Sequence, residues 1–303
     1  MTGFTAAEVP DQGGKCFIVT GANTGIGFEA AKVLAARGGR VLLGCRGEAK
    51  ANAAIARIRQ EVSGADVAFL PLDLSDLASV RRAAEVAAQE PRVDVLLNNA
   101  GVMIPPLTRT AQGFELQFGV NHLGGFALTA LLLPKLAETQ GSRVVVTSSL
   151  AHQRGALQWD DLNAEKSYSR IPRYAASKLA NLLHLFELDR RLRAAGSATT
   201  AVGCHPGAAA TELMRHSGVA RLANPAMRAL FNTAAMGAWP ALQAAAGPDI
   251  DPGGYYGPQG VGEMKGASGV ARRTRGAQDP DWSRRLWDVS IAMTGVDPGL
   301  APA

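Results

Sequence analysis

Two side chains with complementary acid–base chemistry stand four residues apart, in the segment Tyr174-Ala-Ala-Ser-Lys178. In a helix, this spacing places both side chains on one face and within contact distance. The pKa of an ordinary tyrosine is near 10, and lowering it by about three units requires roughly 4 kcal/mol of preference for the phenolate. A neighbouring ammonium provides part of that preference, so the spacing indicates a tyrosine that exchanges protons with a substrate.

A glycine-rich turn close to the N-terminus has the composition of a phosphate-binding loop. It reads TGANTGIG over Thr20–Gly27 and stands between an apolar strand and an alanine-rich helix. Glycines let the backbone bend tightly, so a pyrophosphate can approach the helix N–H groups, where the helix dipole favours negative charge. A purely structural turn is the alternative, because the pattern alone is weak. The residues expected to bind a dinucleotide here are Gly21, Asn23, Thr24, Gly25, Ile26 and Gly27.

The end of the second predicted strand indicates which dinucleotide is bound. An acidic residue there would accept a hydrogen bond from a free ribose 2′-hydroxyl. The strand instead ends in Gly44-Cys45-Arg46, without a carboxylate, and Arg46 could pair with a 2′-phosphate. The pattern therefore favours NADP(H) over NAD(H), with an ordinary surface arginine as the alternative.

These residues require a scaffold that brings them together. Short apolar runs, rich in β-branched residues, alternate with longer helical segments, which predicts an α/β fold of the Rossmann type. We expect a doubly wound, mostly parallel seven-stranded sheet with helices on both faces. The predicted strands are Lys15–Thr20, Arg40–Cys45, Asp66–Leu70, Val93–Leu97, Arg143–Thr147, Thr199–Cys204 and 253–256. The predicted helices span Thr24–Arg37, a segment ending near Val62, a segment from a cap at Ser75 to Glu90, Gly113–Glu138, Arg173–Ala195 and Asp281–Met293.

Length and composition limit the class of protein further. The 303 residues are 47 % hydrophobic, which is typical of a globular chain, and show no internal repeat or linker. We expect one domain over 1–303, with an N-terminal extension at 1–14 and a substrate-binding flap at 208–240. The charge of +5 is spread over mixed signs, so no nucleic acid is expected as a partner.

Cysteine and apolar patterns argue against several other classes. The three cysteines are far apart and the five histidines show no HExxH spacing, so no metal site is expected and a cytoplasmic location is favoured. The apolar run Phe126–Leu133 is too short for a membrane span, which needs about 20 residues. The N-terminus also has no pattern of a secretory signal.

In chain order, the motifs resemble the short-chain dehydrogenase/reductase family. After the glycine turn come Asp73-Leu74, the NNAG motif Asn98–Gly101, Asn121 in VNHLG, Ser149 in SSLAH, the YAASKLAN motif, and His205-Pro206-Gly207 followed by Thr211. The resemblance covers about Lys15–Val296 and is strongest for the retinol-dehydrogenase-like branch, in a form without its N-terminal membrane segment. That branch shares the spacing of 25 residues between Ser149 and Tyr174.

The resemblance implies hydride transfer between a nicotinamide and a carbonyl or alcohol. In it, Tyr174 is the general acid or base, Ser149 binds the substrate oxygen, and Lys178 supports Tyr174 and holds the nicotinamide ribose. Asn121 anchors a water that links Lys178 to solvent. The further cofactor contacts that it implies are Asp73, Leu74, Asn99, Ala100, Gly101, Pro206, Gly207 and Thr211.

The substrate is indicated only by composition. The insertion Ala151–Pro172 carries Trp159 and Tyr168, and Leu213–Trp239 is apolar, which favours a lipophilic aldehyde, ketone or alcohol. The alternatives are a C=C (enone) reductase and a non-catalytic NADP-binding sensor. The resemblance also implies a homodimer or homotetramer formed through the helices that carry Asn121 and Tyr174. We expect structural roles for the histidines His152, His205 and His216.

Overall fold

The eight strands of the fold form one sheet in the order β3-β2-β1-β4-β5-β6-β7-β8. The computed structural model describes residues 3–208 and 231–302. Strands β1 to β7 are parallel, and β8 runs antiparallel to β7. The predicted Rossmann-type sheet is confirmed, but the predicted number of seven strands is one too few. The strands are β1 (Cys16–Thr20), β2 (Arg40–Cys45), β3 (Val67–Pro71), β4 (Val95–Asn98), β5 (Arg143–Thr147), β6 (Thr200–Cys204), β7 (Tyr255–Pro258) and β8 (Ser268–Val270).

The additional strand, β8, joins the sheet edge to the N-terminal segment. It has only three residues, Ser-Gly-Val, which is too short for a recognisable alternating pattern. Phe4 and Ser268 exchange two backbone hydrogen bonds of 2.8 Å. The predicted N-terminal extension therefore packs against the sheet edge, with Val9 and Gln12 buried.

Helices cover both faces of the sheet, as predicted. One apolar core lies between the sheet and the helices α3, α4, α5 and α7, and the other lies between the sheet and α1, α2 and α6. The helices are α1 (Gly25–Ala36), α2 (Glu48–Glu61), α3 (Leu77–Ala88), α4 (Leu116–Ala137), α5 (Arg170–Ala194), α6 (Ala234–Ala246) and α7 (Pro280–Thr294).

Two local predictions are wrong for identifiable reasons. Helix α3 is capped by Asp76, whose carboxylate accepts from Ala78 N at 3.0 Å, whereas the Ser75 hydroxyl donates to Asp73. Residues 234–240, predicted to lie in an irregular, flexible segment, form the first part of α6, which has Pro240 inside it. Because α6 is buried on most sides, it lacks the polar stripe that marks a surface helix.

Helix α4 is long and apolar enough to span a membrane by length and composition, but 83 % of its apolar window is buried inside the protein. On α7, Trp287 packs against Phe126 of α4 and His184 of α5, with ring centroids 5.3 and 5.8 Å apart. Helices α4 and α5 thus bury much of their surface within one chain. The dimer implied through these two helices stays a prediction.

Because β1 to β7 are parallel, the segments that follow them all begin on the same side of the sheet, at the carboxyl ends of the strands. The glycine turn follows β1, Arg46 follows β2, and the segment with Ser149 follows β5. His205 and Pro206 follow β6. The topology thereby places residues that are distant in sequence along one crevice.

Candidate active site

A cavity of about 710 Å³ runs along the carboxyl ends of the strands. Of the predicted site residues, Asn121 does not line this cavity, and Thr211 lies outside the described residues. The predicted residues that the cavity brings together are Gly21, Asn23, Thr24, Gly25, Ile26, Gly27, Arg46, Asp73, Leu74, Asn99, Ala100, Gly101, Ser149, Tyr174, Lys178, Pro206 and Gly207.

The glycine turn is shaped by close backbone contacts. Gly21 and Gly25 have φ angles of +68° and +61°, in the left-handed region that favours glycine. A Cβ on Gly27 would lie 2.5 Å from both the Gly21 carbonyl oxygen and the Asn99 side-chain nitrogen. The conformation of the turn therefore requires glycine at these positions.

The turn is joined to the segment after β4 by Thr20. Its hydroxyl accepts from the backbone N–H groups of Asn99 and Ala100, each at 2.9 Å. The Asn99 side chain in turn donates to the Thr20 carbonyl at 2.9 Å. The NNAG motif thus fixes the glycine turn as well as lining the cavity.

At the N-terminus of α1, the Thr24 side chain makes no capping hydrogen bond. Helix N-termini carry N–H groups without partners inside the helix, and their dipole favours an anion. The first turn of α1 borders the cavity through Gly25, Ile26 and Gly27. This end of the cavity therefore suits a phosphate.

Two cations stand at the same end of the cavity. Arg46 and Lys50 are exposed, and neither makes a hydrogen bond or ion pair with any residue in the described ranges. Between them and the glycine turn lies Cys45, whose thiol has a pKa raised by burial to about 11 and is therefore neutral. Lys50 was missed by the sequence analysis, although it is a cation at the start of the helix that follows Arg46, which was a usable signal.

Tyr174, Ser149 and Lys178 meet at the other end of the cavity. Tyr174 and Lys178 are buried on α5, and the lysine nitrogen is 5.9 Å from the centroid of the tyrosine ring. Ser149 lines the cavity beside Tyr174, and its hydroxyl caps the short helix Leu150–Arg154 by accepting from Ala151 N at 3.2 Å. The three side chains form one polar cluster.

The adjacent Ser148 has a different task. It is buried, and its hydroxyl donates to the Lys178 carbonyl at 2.7 Å. Lys178 itself donates to the Thr147 carbonyl at 3.3 Å. The strand end therefore holds the α5 backbone through one serine and presents the other to Tyr174.

Burial shifts the pKa values of both titratable groups in the cluster. It raises the pKa of Tyr174, and the nearby Ser149 hydroxyl opposes only part of that rise. It lowers the pKa of Lys178 to about 8. The lowered tyrosine pKa expected from the sequence is therefore not produced by the protein groups alone, because Lys178 is itself desolvated.

The side chain of Asn121 is already bonded to protein. Its oxygen accepts from Val102 N at 2.7 Å, and its nitrogen donates to the Val102 carbonyl at 3.0 Å and to Ser177 Oγ at 2.9 Å. These bonds leave little capacity for a water on the side chain. Asn121 lies in a π-helical turn of α4, Gly119–Leu123. Such turns displace backbone carbonyls from their usual partners, so the implied water would contact the backbone.

The remaining predictions divide by position. Asp73 accepts from Ser75 N at 2.9 Å and from its hydroxyl at 2.6 Å, so it shapes the loop at the edge of the cavity. His152 and His205 are buried and hydrogen-bonded, whereas His216 lies outside the described residues. Within 3–208 and 231–302, no group of three His, Cys, Asp or Glu side chains could hold a metal ion.

Comparisons with known proteins agree with this geometry. The family described as short chain dehydrogenase matches residues 15–221. Mouse retinol dehydrogenase 14 is 41 % identical over 300 residues, covering 93 % of this chain and 86 % of its own. Human retinol dehydrogenase 12 is 42 % identical over 286 residues, covering 93 % and 87 %. The chain therefore belongs to the short-chain dehydrogenase/reductase family, and the resemblance to its retinol-dehydrogenase-like branch is confirmed.

Solved structures are similar in fold. An uncharacterised protein of Mycobacterium paratuberculosis is 39 % identical, with a TM-score of 0.83 over 99 % of this chain and all of that one. A Sphingobium yanoikuyae short-chain dehydrogenase in complex with NADPH is 25 % identical, with a TM-score of 0.58 over 75 % and 83 % of the two chains. The protein is accordingly an oxidoreductase that acts on CH–OH groups and uses NAD(P).

The cavity fits such a cofactor at both ends. Gly21 and Gly27 let the turn pack closely against Asn99 and Ala100 while lining the cavity, and the start of α1 supplies N–H groups. Lys178 reaches the opposite end, where a Cβ on Gly101 would lie 3.5 Å from its nitrogen. The residues present can therefore hold a dinucleotide along the crevice.

We predict that Lys178→Met raises the stability of the free protein at pH 7 by an amount on the order of 2 kcal/mol. The pKa of Lys178 is about 8 in the folded protein and 10.5 for an ordinary lysine. Between these two pH values, the unfolded chain therefore binds one more proton than the folded protein. Wild-type stability therefore rises across pH 8 to 10.5, and the advantage of the variant shrinks. Urea unfolding at pH 7, 9 and 10.5 measures this.

Lys166→Met is the matched control, because Lys166 forms an exposed ion pair with Asp160 and should contribute little. A Lys178→Met variant that is less stable than wild type at pH 7, by an amount independent of pH, would contradict the desolvation of Lys178.

Proposed function

We propose that the protein is an NADP(H)-dependent oxidoreductase that transfers a hydride between nicotinamide and the carbonyl or alcohol carbon of a lipophilic substrate. The observation that carries the proposal is that Ser149, Tyr174 and Lys178 together line the cavity that begins at the glycine turn, with Lys178 one helical turn after Tyr174. When bound, the cofactor supplies or accepts the hydride, and its oxidised ring carries a positive charge.

Tyr174 is the proposed general acid and base. Burial keeps its hydroxyl protonated at neutral pH, which is the form that carbonyl reduction consumes. In the direction of alcohol oxidation the tyrosine must lose this proton, and the protein groups alone do not favour the phenolate. The free protein therefore holds Tyr174 in the protonated form that carbonyl reduction requires. For alcohol oxidation, a positive charge close to the Tyr174 ring would be needed to stabilise the phenolate.

Ser149 is proposed to donate to the substrate oxygen. It follows the carboxyl end of β5 and lines the cavity beside Tyr174, so a substrate oxygen placed between them would be within reach of both hydroxyls. Two donors aimed at one oxygen stabilise the negative charge that develops there during hydride transfer.

Lys178 is proposed to support Tyr174 and to bind the nicotinamide ribose. Its ammonium has the Thr147 carbonyl as a hydrogen-bond acceptor and retains further donors. Asn121 holds Val102 and Ser177 beside this site, so we propose that it acts mainly by positioning the wall of the cavity.

The cofactor preference rests on Arg46 and Lys50. Both line the cavity and are free of partners among the described residues, and the end of β2 carries no carboxylate. A 2′-phosphate between two cations gains charge-assisted hydrogen bonds that a hydroxyl cannot match. The remaining proposed cofactor contacts are Asp73, Leu74, Asn99, Ala100, Gly101, Pro206 and Gly207, together with Thr211 from the sequence.

The substrate class rests on the apolar part of the cavity lining. Val102, Met103, Pro105, Val120 and Phe231 all line the cavity. The names of the curated relatives point to retinoids as one class of lipophilic substrate for those proteins. We propose one domain over 1–303 with a substrate-binding flap at 208–240, of which 231–240 is described and includes the start of α6. Cytoplasmic localisation remains a prediction.

We predict that the double substitution Arg46→Ala with Lys50→Ala raises the KM for NADPH by about tenfold or more, because charge-assisted contacts are lost. The KM for NADH and the kcat should change little, since neither cation touches the reacting atoms. Steady-state kinetics with both cofactors and one aldehyde measures the change.

Arg57→Ala is the matched control on the same helix, because its guanidinium lies over the Phe28 ring and does not line the cavity. A wild-type protein that prefers NADH, or a double variant with unchanged NADPH kinetics, would show that these cations do not select the cofactor.

We also predict the site of hydride delivery. With NADPH deuterated at both C4 positions and an α,β-unsaturated aldehyde such as retinal, the label should appear on the carbinol carbon with the alkene intact. NMR of the product measures this, and a saturated aldehyde of similar length serves as the control.

Label on the β-carbon of the former enal would identify a C=C reductase instead. NADPH binding without any label transfer over a broad carbonyl panel would identify a non-catalytic binding protein.

A further inference from the structure

A buried histidine that is hydrogen-bonded to a buried glutamate stands directly behind the cavity wall that follows β6. His205 is fully buried, and its Nε2 lies 3.0 Å from Oε2 of the buried Glu263. Neither side chain lines the cavity. The sequence analysis assigned His205 a structural role and did not single out Glu263 at all.

The hydrogen bonds of His205 define its tautomer. The backbone N–H of Gly207 donates to His205 Nδ1 at 3.2 Å, so Nδ1 must carry a lone pair. The ring proton therefore lies on Nε2 and is donated to the Glu263 carboxylate. Although burial alone would raise the pKa of Glu263, the hydrogen bonds from His205 and Arg272 N lower it, so the carboxylate is ionised.

The surrounding backbone is adapted to this pair. Glu263 has a φ angle of +57°, in the left-handed region where residues other than glycine are uncommon. A Cβ on Gly257 would collide with the His205 ring, so β7 carries glycine where the ring crosses it. A backbone outlier at a buried charged residue points to a function for that residue.

The pair acts on one peptide unit of the cavity wall. The N–H of the Pro206–Gly207 peptide is taken by His205, and its carbonyl accepts from Asn232 Nδ2 at 2.9 Å. Ala208 N donates to the Met264 carbonyl at 2.9 Å, next to Glu263. Pro206, Gly207 and Ala208 all line the cavity. This wall is therefore held from behind by the loop that carries Glu263.

The position of the wall tells which part of a dinucleotide it meets. Four strand-to-strand steps separate β2, which ends just before Arg46, from β6, which ends just before His205. At about 4.8 Å a step, the two ends are roughly 19 Å apart. The wall adjoins β5, and hence Ser149, so it faces the nicotinamide half of the ligand and not the adenosine half.

We propose that His205 and Glu263 are positioning residues that fix the Pro206–Ala208 wall against the nicotinamide half of the cofactor. This proposal rests on the proposed function, because it takes the cavity to hold NADP(H). If the wall is loosened, the affinity for the whole cofactor should fall. The affinity for a ligand that occupies only the Arg46 end of the cavity should not change.

The test is Glu263→Gln, which keeps the size of the side chain but cannot accept from both His205 and Arg272 N through two carboxylate oxygens. We expect the Kd for NADPH, measured by protein fluorescence, to rise about tenfold, while the Kd for adenosine 2′,5′-bisphosphate stays within about twofold. At saturating NADPH, kcat should stay within about threefold.

The control is Glu187→Gln, which neutralises another buried carboxylate with two partners, Arg190 and Arg191, 13 residues beyond Tyr174 on α5. It should lower stability without changing either Kd. A Glu263→Gln variant that binds NADPH like wild type, or that loses both ligands equally, would overturn the proposal.

Asn232→Asp provides an independent variant should Glu263→Gln fail to fold, because it removes the donor from the other end of the same peptide unit. The same selective loss is expected, and unchanged NADPH affinity would likewise overturn the proposal. Failure of the wild-type protein to bind NADPH would instead count against the proposed function, so the two failures are distinguishable.

Discussion

The desolvation of Lys178 is the constraint on which the site depends. Its ammonium is buried, its pKa is lowered to about 8, and its hydrogen-bond partner in the structure is the Thr147 carbonyl. No carboxylate in the described ranges contacts it. A lysine held in this way retains hydrogen-bond donors for a ligand. Because its pKa is lowered, its side chain becomes neutral at mildly basic pH.

The rest of the fold keeps this lysine and its neighbours in place. Ser148 at the end of β5 bonds the Lys178 carbonyl, Asn181 donates to the same Thr147 carbonyl at 2.9 Å, and Asn121 fixes Ser177. These contacts join the sheet edge to α5 with bonds that do not involve the reacting side chains.

The sequence predicted the parts of the structure that local rules control. The parallel strands, the glycine turn and the i, i+4 pair on α5 depend on periodicity and spacing, which are visible in one dimension. The cap of α3 was misplaced by one residue because serine and aspartate both cap helices, and only the fold shows that Ser75 is bonded to Asp73. Helix α6 was missed because its burial removes the polar stripe.

Two contributions to the site were missed. Lys50 joins it because α2 begins two residues after Arg46 and brings its first turn to the cavity. Glu263 joins His205 across 58 residues. The sequence carries no spacing rule for such a pair, since it depends on where the loop after β7 returns. The resemblance identified His205-Pro206-Gly207 as a motif, and the structure adds a reason for a histidine at its first position.

The central claim is that Tyr174 carries the proton while other residues hold the cofactor. The most direct measurement compares NADPH turnover and NADPH affinity in Tyr174→Phe, with Tyr256→Phe, whose hydroxyl accepts from Asp251 N outside the cavity, as the control. We expect turnover to fall by at least about a hundredfold in Tyr174→Phe with the Kd for NADPH nearly unchanged, and little change in the turnover of the control. Turnover at the wild-type rate in Tyr174→Phe would contradict the account.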